Sequence, residues 1–383
     1  MAGIVQYVAK HSPKQSRIVD DLRRRIVSGE ISAGAQLPPL TEIEKRYKAS
    51  TITVQRALQH LRKHGFLFTK PREGNYVSQN PPHLCNFGFL FGRDPASMQW
   101  SQFYAAFQQE ARNFVSASGA PKRRASFFYQ VDGIQAAADY RHLVSDVEER
   151  CLAGLVFVFA VNHYAGSPVL AEPSLPRVAI TWEPQPGLSV VRLDEMLGKA
   201  FDYLVRRGRR RVALISRIEA VTDDDRFPGS LIAAAEEHGI TTRPYWIHGV
   251  NLNARRLAAH SAELLMHCRA EDRPDALVIT DDNLVPYATE GILAAGVRVP
   301  DDIEIVAHCN FPYPTPSAVP AVRVGCDVRE VFRACIDLIE LLRRGEDAPP
   351  ITSLPVYLDD ELKPIMAIQT PIALSADRAN KKT

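Results

Sequence analysis

Through the first eighty positions, apolar residues recur at helical spacing and then give way to two short strand-like runs. Val19, Leu22 and Ile26 stand at i, i+3 and i+7, which predicts a helix over about 16–28 with Gly29 as its stop. Gly34, Pro38 and Pro39 break the chain after it. Thr41 and Glu44 have the spacing of a capping box, a hydroxyl reaching a backbone amide one way and a carboxylate the other. They predict a short second helix ending near Tyr47. Lys48, Ala49 and Ser50 form a turn. Val54, Ala57, Leu58 and Leu61 then mark the buried face of a third helix over about 51–64, closed by Gly65. Phe66-Leu67-Phe68 and Tyr76-Val77 read as two strands joined by the basic turn Lys70-Pro71-Arg72-Glu73-Gly74-Asn75. Helix, short helix, turn, helix and hairpin make a winged helix-turn-helix. Its third helix can enter a major groove, and its wing carries Lys70 and Arg72 toward phosphate.

From residue 84 the pattern changes to short apolar runs alternating with amphipathic stretches. Strands are predicted at 84–91, 126–130, 152–161, 177–181, 211–215, 276–280 and 303–307. Helices are predicted at 103–118, 133–146, 196–207, 230–238, 254–267, 284–295 and 328–343. Such alternation predicts parallel sheets covered by helices, an α/β class. Residues 79–83, Gln-Asn-Pro-Pro-His, read as a linker. The expected organisation is therefore a head at 1–78, a linker at 79–83 and a body at 84–383.

Charge sharpens the division. The chain of 383 residues has 46 Lys and Arg against 44 Asp and Glu. Residues 1–78 hold 14 and six of these, a net of +8, which leaves 32 and 38, a net of −6, for the rest. A basic module on an acidic body points to double-stranded DNA as a partner of the head alone. The six cysteines are scattered without a C-x-x-C pair. Neither a disulfide framework nor a metal site is expected, and a reducing cytosol is. The longest apolar run, Leu152–Val161, falls far short of the roughly 20 residues of a membrane span. The first residues lack the apolar core of a signal peptide. No membrane partner and no cofactor are expected, and the location read from the sequence is cytoplasmic.

Several ordered motifs carry a resemblance. Ile26, Gly29, Gly34, Leu37 and Pro38, then Ala49-Ser50 with Thr53-Val54 and Ala57-Leu58, then Leu61 with Gly65-Phe66-Leu67, then Gly74-Asn75-Tyr76-Val77, resemble the GntR family of bacterial regulators over about 65 residues. The resemblance implies operator contacts from Thr41, Ser50, Thr51, Thr53, Gln55, Arg56, Lys70, Arg72, Gly74 and Asn75. It also shows a departure. Family members usually carry arginines at the positions of Thr41, Thr51 and Gln55, and this chain has none of the three. Its operator is therefore expected to differ from the usual one, with Gln55 suited to a bidentate pair with adenine.

In the body, Ala200–Ile215 and the pair Ala276–Asp282 and Gly296–Ala307 resemble the sensor domain of LacI-type repressors, itself similar to periplasmic sugar-binding proteins. The resemblance implies two α/β subdomains with a ligand between them, a boundary near 190–194 and a recrossing near 311–324. A GntR-type head on this body is similar to the arabinose-repressor type of regulator. It implies a homodimer and a small-molecule effector, a sugar or sugar derivative, whose binding releases the operator; the alternative is a ligand-dependent activator or a corepressor-type regulator.

Candidate effector residues follow from the strand ends, where open α/β sheets bind ligands. Arg226 stands three positions before Gly229, as the family's ligand-binding arginine stands before its glycine. Asp281 follows the strand at 276–280, and Asn310 the strand at 303–307. Trp182 and Trp100 offer indole faces to a sugar ring. Each has an alternative. Arg226 can pair with Asp223–Asp225, Asp281 can cap a helix, and either tryptophan can be core. The basic run Arg207–Arg211 suits a helix C-terminus better than DNA. Two rival classes find little support. An enzyme would need a nucleophile, metal or phosphate motif, and none occurs. A solute-binding protein would need a signal peptide and no basic head.

Overall fold

The computed structural model describes residues 12–362 apart from 118, 120–121, 132–137, 160, 162–163, 165, 183–185 and 219–228. Arg226 and its acidic neighbours 223–225 lie outside the described residues.

The head opens with helix α1 (Pro13–Val27), whose N-cap Ser12 accepts from the Gln15 amide and whose first position is Pro13. Proline there has no amide to leave unpaired and a φ already helical. Helix α2 (Leu40–Tyr47) corrects the capping-box expectation. Its N-cap is Pro39, extended at φ −53° and ψ 150°, and no side chain caps it. Thr41 therefore sits inside the first turn, exposed. Lys48 takes the left-handed conformation at φ 48° and turns the chain. Helix α3 (Thr51–Lys63) starts at Ser50, whose hydroxyl accepts from the Thr53 amide at 3.4 Å. Strands β1 (Leu67–Lys70) and β2 (Gly74–Val77) pair antiparallel, Lys70 opposite Gly74. Ile18, Leu22, Val54, Leu58, Leu61, Phe66 and Val77 are the buried centre of the head.

The chain divides into two compact units. The first holds the head, residues 84–95, 108–191 and 334–352; the second holds 96–107, 192–333 and 353 onward. Segment 311–324, expected as a crossing, lies wholly in the second unit. Pro82–Cys85 form one turn of helix.

In chain order the body strands are β3 (Asn86–Leu90), β4 (Arg124–Phe128), β5 (Gly154–Phe157), β6 (Arg177–Ile180), β7 (Ser189–Leu193), β8 (Val212–Arg217), β9 (Ile247–Val250), β10 (Ala276–Ile279), β11 (Glu304–His308), β12 (Val322–Gly325), β13 (Ile351–Leu354) and β14 (Tyr357–Leu358). One sheet runs β13-β7-β6-β5-β3-β4, the other β14-β12-β11-β10-β8-β9. The pairs among β3–β7 are parallel, as are those among β8–β12; β14 adds antiparallel to β12. In each sheet the first strand of its run lies between the second and the third. The order is that of a doubly wound sheet, whose direction of winding reverses beside that first strand. Interior strands such as β5 and β10 are buried throughout, as strands covered on both faces must be.

Close backbone packing makes some glycines obligatory. A Cβ at Gly291 would stand 2.1 Å from the Ala259 carbonyl oxygen, where helices Val285–Ala294 and Leu257–Met266 touch. Backbone on both sides leaves no side chain to swing away. Gly291→Ala should therefore destabilise the chain by roughly 2–3 kcal/mol or more, read as a lower midpoint in urea. An unchanged midpoint would show that the helices can part at no cost.

His83, in the turn 82–85, stacks on Phe66 with ring centroids 5.9 Å apart. Burial, aided by the charge of Arg343, pushes its pKa down from 6.5 to about 4. The unfolded chain thus takes up a proton between pH 6.5 and 4 that the folded chain refuses. Stability contributed by the neutral ring is complete above pH 6.5 and is lost as pH falls toward 4, on the order of 2 kcal/mol after allowance for its partial exposure. Denaturant midpoints at pH 7.5 and 5 should differ less in His83→Phe than in the parent. Equal pH dependence in both would remove His83 as the cause.

Candidate functional sites: a helix-and-wing face and a polar cluster at strand ends

The head presents a largely polar face, interrupted by the exposed side chain of Ile52. On α3, Thr51, Gln55, Arg56, Gln59, Arg62 and Lys63 are exposed, while Val54, Ala57, Leu58 and Leu61 are buried. Thr53 is half-buried, its hydroxyl 3.0 Å from that of Ser50. Gln55 and Arg56 are free of packing against the core and are separated by about 100° around the helix.

The wing is built around one arginine that the sequence reading did not single out. Arg62 donates to Thr69 Oγ1 at 3.0 Å and to Asn75 Oδ1 at 3.1 Å, fastening the end of α3 to both wing strands. Asn75, expected at DNA, also accepts from Thr69 at 2.9 Å, so its carbonyl oxygen is engaged within the wing. Lys70 stands 4.5 Å from the centre of the Tyr76 ring and 3.6 Å from Glu73. Arg72 is exposed at the tip in the left-handed region, φ 68°, and Gly74 follows at φ 111°. The signal for Arg62 was present in its place in the last turn of the helix, beside a wing rich in polar side chains.

The second cluster lies in the second unit, at the carboxyl ends of β8, β10 and β11. Thr280 donates to Ser216 at 2.7 Å across the reversal point between β8 and β10. Arg217 Nε is 3.4 Å from Asp281 Oδ2. The other oxygen of Asp281 accepts from the amide and side chain of Asn283 at 2.9 and 2.7 Å. That is an Asx turn leading toward helix Val285–Ala294, whose N-cap is Leu284. Behind this pair, Asp282 is buried, accepts from Asn310 Nδ2 at 2.6 Å and lies 3.8 Å from His308 Nδ1. Burial pushes the Asp281 carboxyl above the usual carboxylate range; Asp282 adds to this and Arg217 opposes it. For His308 burial alone would lower the pKa, but Asp282 and Asp281 outweigh it and hold the imidazole above its ordinary value. The arrangement can hold alternating charge close to neutrality while leaving the partly exposed Arg217 at the strand ends.

The sequence-derived candidates thus separate. Asp281 is in the cluster. Asn310 is 1% exposed and already bonded to Asp282, so it positions that carboxylate and offers no free edge. Trp182, after β6 in the first unit, is exposed. Trp100, in the second unit, is half-buried with its ring against Tyr104, centroids 5.2 Å apart. Arg217, Ser216, Thr280, Asp282 and His308 were missed. For Arg217 the signal was its place two positions after the apolar run Val212–Ile215.

Three of the four arginines at 207–211 face acidic partners, and Arg210 donates to the carbonyls of His238 and Gly239. Arg207 and Arg209 each reach buried Glu304 at 3.5 Å, and Arg211 reaches Asp275 at 3.5 Å.

Comparison with known proteins places both modules. Residues 14–77 match the family of bacterial regulatory proteins named GntR, and residues 201–358 match a periplasmic binding protein-like domain. The chain is 23% identical over 351 residues to an arabinose metabolism transcriptional repressor of Geobacillus stearothermophilus, covering 86% of this chain and 92% of that one. It is 23% identical over 212 residues to a transcriptional repressor, PurR, of Aliivibrio salmonicida, covering 54% of this chain and 62% of that one. Among solved structures, a LacI family regulator from Clostridium acetobutylicum shares the fold with a TM-score of 0.56 at 18% identity, over 72% of this chain and 98% of that one. A LacI family regulator from Lactobacillus casei with bound glucose shares it with a TM-score of 0.54 at 18% identity, over 71% and 97%. These relatives are named as transcription regulators. No helix among the described residues is long and apolar enough to cross a membrane.

Proposed function

We infer, from a GntR-family winged helix-turn-helix joined to a periplasmic-binding-protein-like sensor, that this transcription regulator is a sugar-responsive repressor of the cytoplasm. The observation that carries the effector half is the pair Arg217–Asp281, with Ser216 and Thr280, at the reversal point of a doubly wound sheet. Ligands of such sheets bind outside the carboxyl ends of the strands at that point. A guanidinium fork, a carboxylate and two hydroxyls suit the vicinal hydroxyls of a sugar or sugar derivative. Arg226 and the indoles of Trp100 and Trp182 remain candidates for further contacts. Glucose in the Lactobacillus casei structure and arabinose metabolism in the Geobacillus relative support a sugar as the class.

The DNA half rests on α3 and the wing. Gln55 and Arg56 lie at the base edges and at phosphate respectively, with Ser50, Thr51 and Thr53 at the helix start, and Thr41 on α2 beside them. Lys70, Arg72, Gly74 and the amide of Asn75 reach the backbone or minor groove. A homodimer reads a pseudo-palindrome with two such heads. Gln55→Ala should cost roughly 1–3 kcal/mol on the preferred site and relax selectivity at one base pair. Competition between duplexes differing at each base in turn measures it, and intact selectivity in the variant places the reading residue elsewhere.

The test of the whole is direct. An operator is recovered with the full chain from random duplexes, and its binding is titrated with and without each of a set of pentoses, hexoses and their phosphates. Release by one of them supports the reading. Tighter binding with a sugar makes the ligand a corepressor, and turnover of a sugar would make the body an enzyme.

A further inference from the structure

We propose that His60, His64 and Glu149 form a site for a divalent transition metal of the zinc type, which fastens the end of the recognition helix to the body within the first unit. His60 and His64 stand four residues apart at the end of α3, on one face, with ring centroids 4.4 Å apart. Glu149 comes from the body, directly after helix Ala138–Glu148. One nitrogen of each ring and one oxygen of Glu149 all lie within 4.8 Å of one another, and all three side chains are half-buried. One edge is already close: His60 Nε2 to Glu149 Oε2 is 3.0 Å. Zinc bonded at about 2.0–2.2 Å in a tetrahedron sets its ligands roughly 3.4 Å apart, so closure asks for side-chain rotation of about an ångström.

The donor set chooses the metal. Two imidazoles and one carboxylate suit zinc and its first-row neighbours, whereas calcium and magnesium take oxygen shells. Three protein ligands leave a fourth position for water. Behind the site, Cys151 Sγ lies 3.4 Å from His64 Nδ1 and holds that ring in place, as the partners of metal-bound histidines commonly do.

The opposing charge is Arg23. Its guanidinium is buried and ion-paired to Glu149. Asp20, 3.4 Å away on the same helix, is a second partner for it, so a metal can take Glu149 without leaving Arg23 uncompensated. The consequence is mechanical. The helix that carries Gln55 and Arg56 would be held to the body by coordinate bonds in place of one ion pair.

The experiment uses the full chain, stripped of metal by chelation, with zinc and cobalt(II) as probes. Cobalt(II) should give the visible absorption of a tetrahedral or five-coordinate site, saturating at one metal per chain, and zinc should displace it. Zinc should also raise the melting temperature. His60→Ala and His64→Ala should each weaken cobalt binding by at least about tenfold, with the far-ultraviolet spectrum of the parent retained. His83→Ala, outside the cluster, should bind as the parent does. Because truncation of a half-buried histidine can loosen the head, His64→Gln is the second variant, keeping size and polarity while removing the imidazole. Absence of saturable binding by the parent overturns the proposal, as does undiminished binding by both His60→Ala and His64→Gln.

Discussion

Raising monovalent salt from about 50 to about 200 mM should weaken operator binding by the full chain at least a hundredfold. The head has a net charge of +8 and the remaining chain −6, so the phosphate contacts must come from the head. Arg56, Lys63, Lys70 and Arg72 are exposed along α3 and the wing. Each phosphate neutralised by such a group releases about 0.9 of a counterion, and affinity falls with that power of the salt concentration. In the proposed homodimer, two heads with two to three contacts each give a slope of about 4 or more, and a fourfold rise in salt then costs about 250-fold. Lys70→Gln and Arg72→Gln should each lower the slope by roughly one for each head that makes the contact. The basic run 207–211 serves as the internal control. Arg207 and Arg209 are committed to Glu304, so Arg207→Gln should leave the slope unchanged. An affinity flat in salt would remove the head as a phosphate-binding module, whatever its fold.

The head was legible in the sequence because its signals are local and redundant. The apolar face of α3, the turn before it and the glycine after it each point to the same helix, and the structure places that helix at Thr51–Lys63. The exception was the start of α2. The spacing of Thr41 and Glu44 suggested a capping box, but Pro39 had already fixed an extended residue there and the helix begins one position earlier. Here the proline two positions before the cap candidate sets the boundary.

The body was legible in its central strands and not at its margins. Runs such as Ala276–Ile279 are buried on both faces and carry no polar residue, so composition alone finds them. Strands β7, β9, β12, β13 and β14 went unpredicted. They are short and mix polar with apolar residues, as in Ser189–Leu193 and Ile247–Val250, and only their neighbours in the sheet make them strands. The polar cluster at the strand ends was only partly legible, for a related reason. Asp281 was found by following a strand to its end, but Arg217 reaches it across 64 positions of sequence, a separation that no spacing rule spans. For Asn310, a sequence gives the strand end but does not show that Asp282 takes its amide.

Arg217→Ala should abolish the effector response while leaving operator affinity in the absence of ligand within about twofold of the parent. The two halves of this expectation have separate grounds. Arg217 is at the carboxyl end of β8 in the second unit, and the DNA-binding elements are in the head, so no operator contact is removed. At the strand ends the variant loses the cationic hydrogen-bond donor facing Asp281. A charge-assisted bond to a bound hydroxyl is worth about 1.5–3 kcal/mol, so ligand affinity should fall by roughly 10- to 150-fold. A second effect acts in the same direction. Burial and Asp282 already oppose ionisation of Asp281, and removing Arg217 takes away the charge that favours it, so the acceptor also weakens. Effector coupling in such regulators is typically 1–3 kcal/mol, and a ligand can shift the operator equilibrium only by its differential affinity for the two states. At ligand concentrations that saturate the parent, the variant should therefore stay on its operator. Operator titration and ligand-induced thermal shift on the same preparations separate the outcomes. A variant that loses operator binding without ligand shows Arg217 to be a structural support of the sensor. A variant that binds ligand as tightly as the parent and is released as fully puts the effector away from the ends of β8 and β10, and with it fails the reading of the Arg217–Asp281 pair as the sugar site.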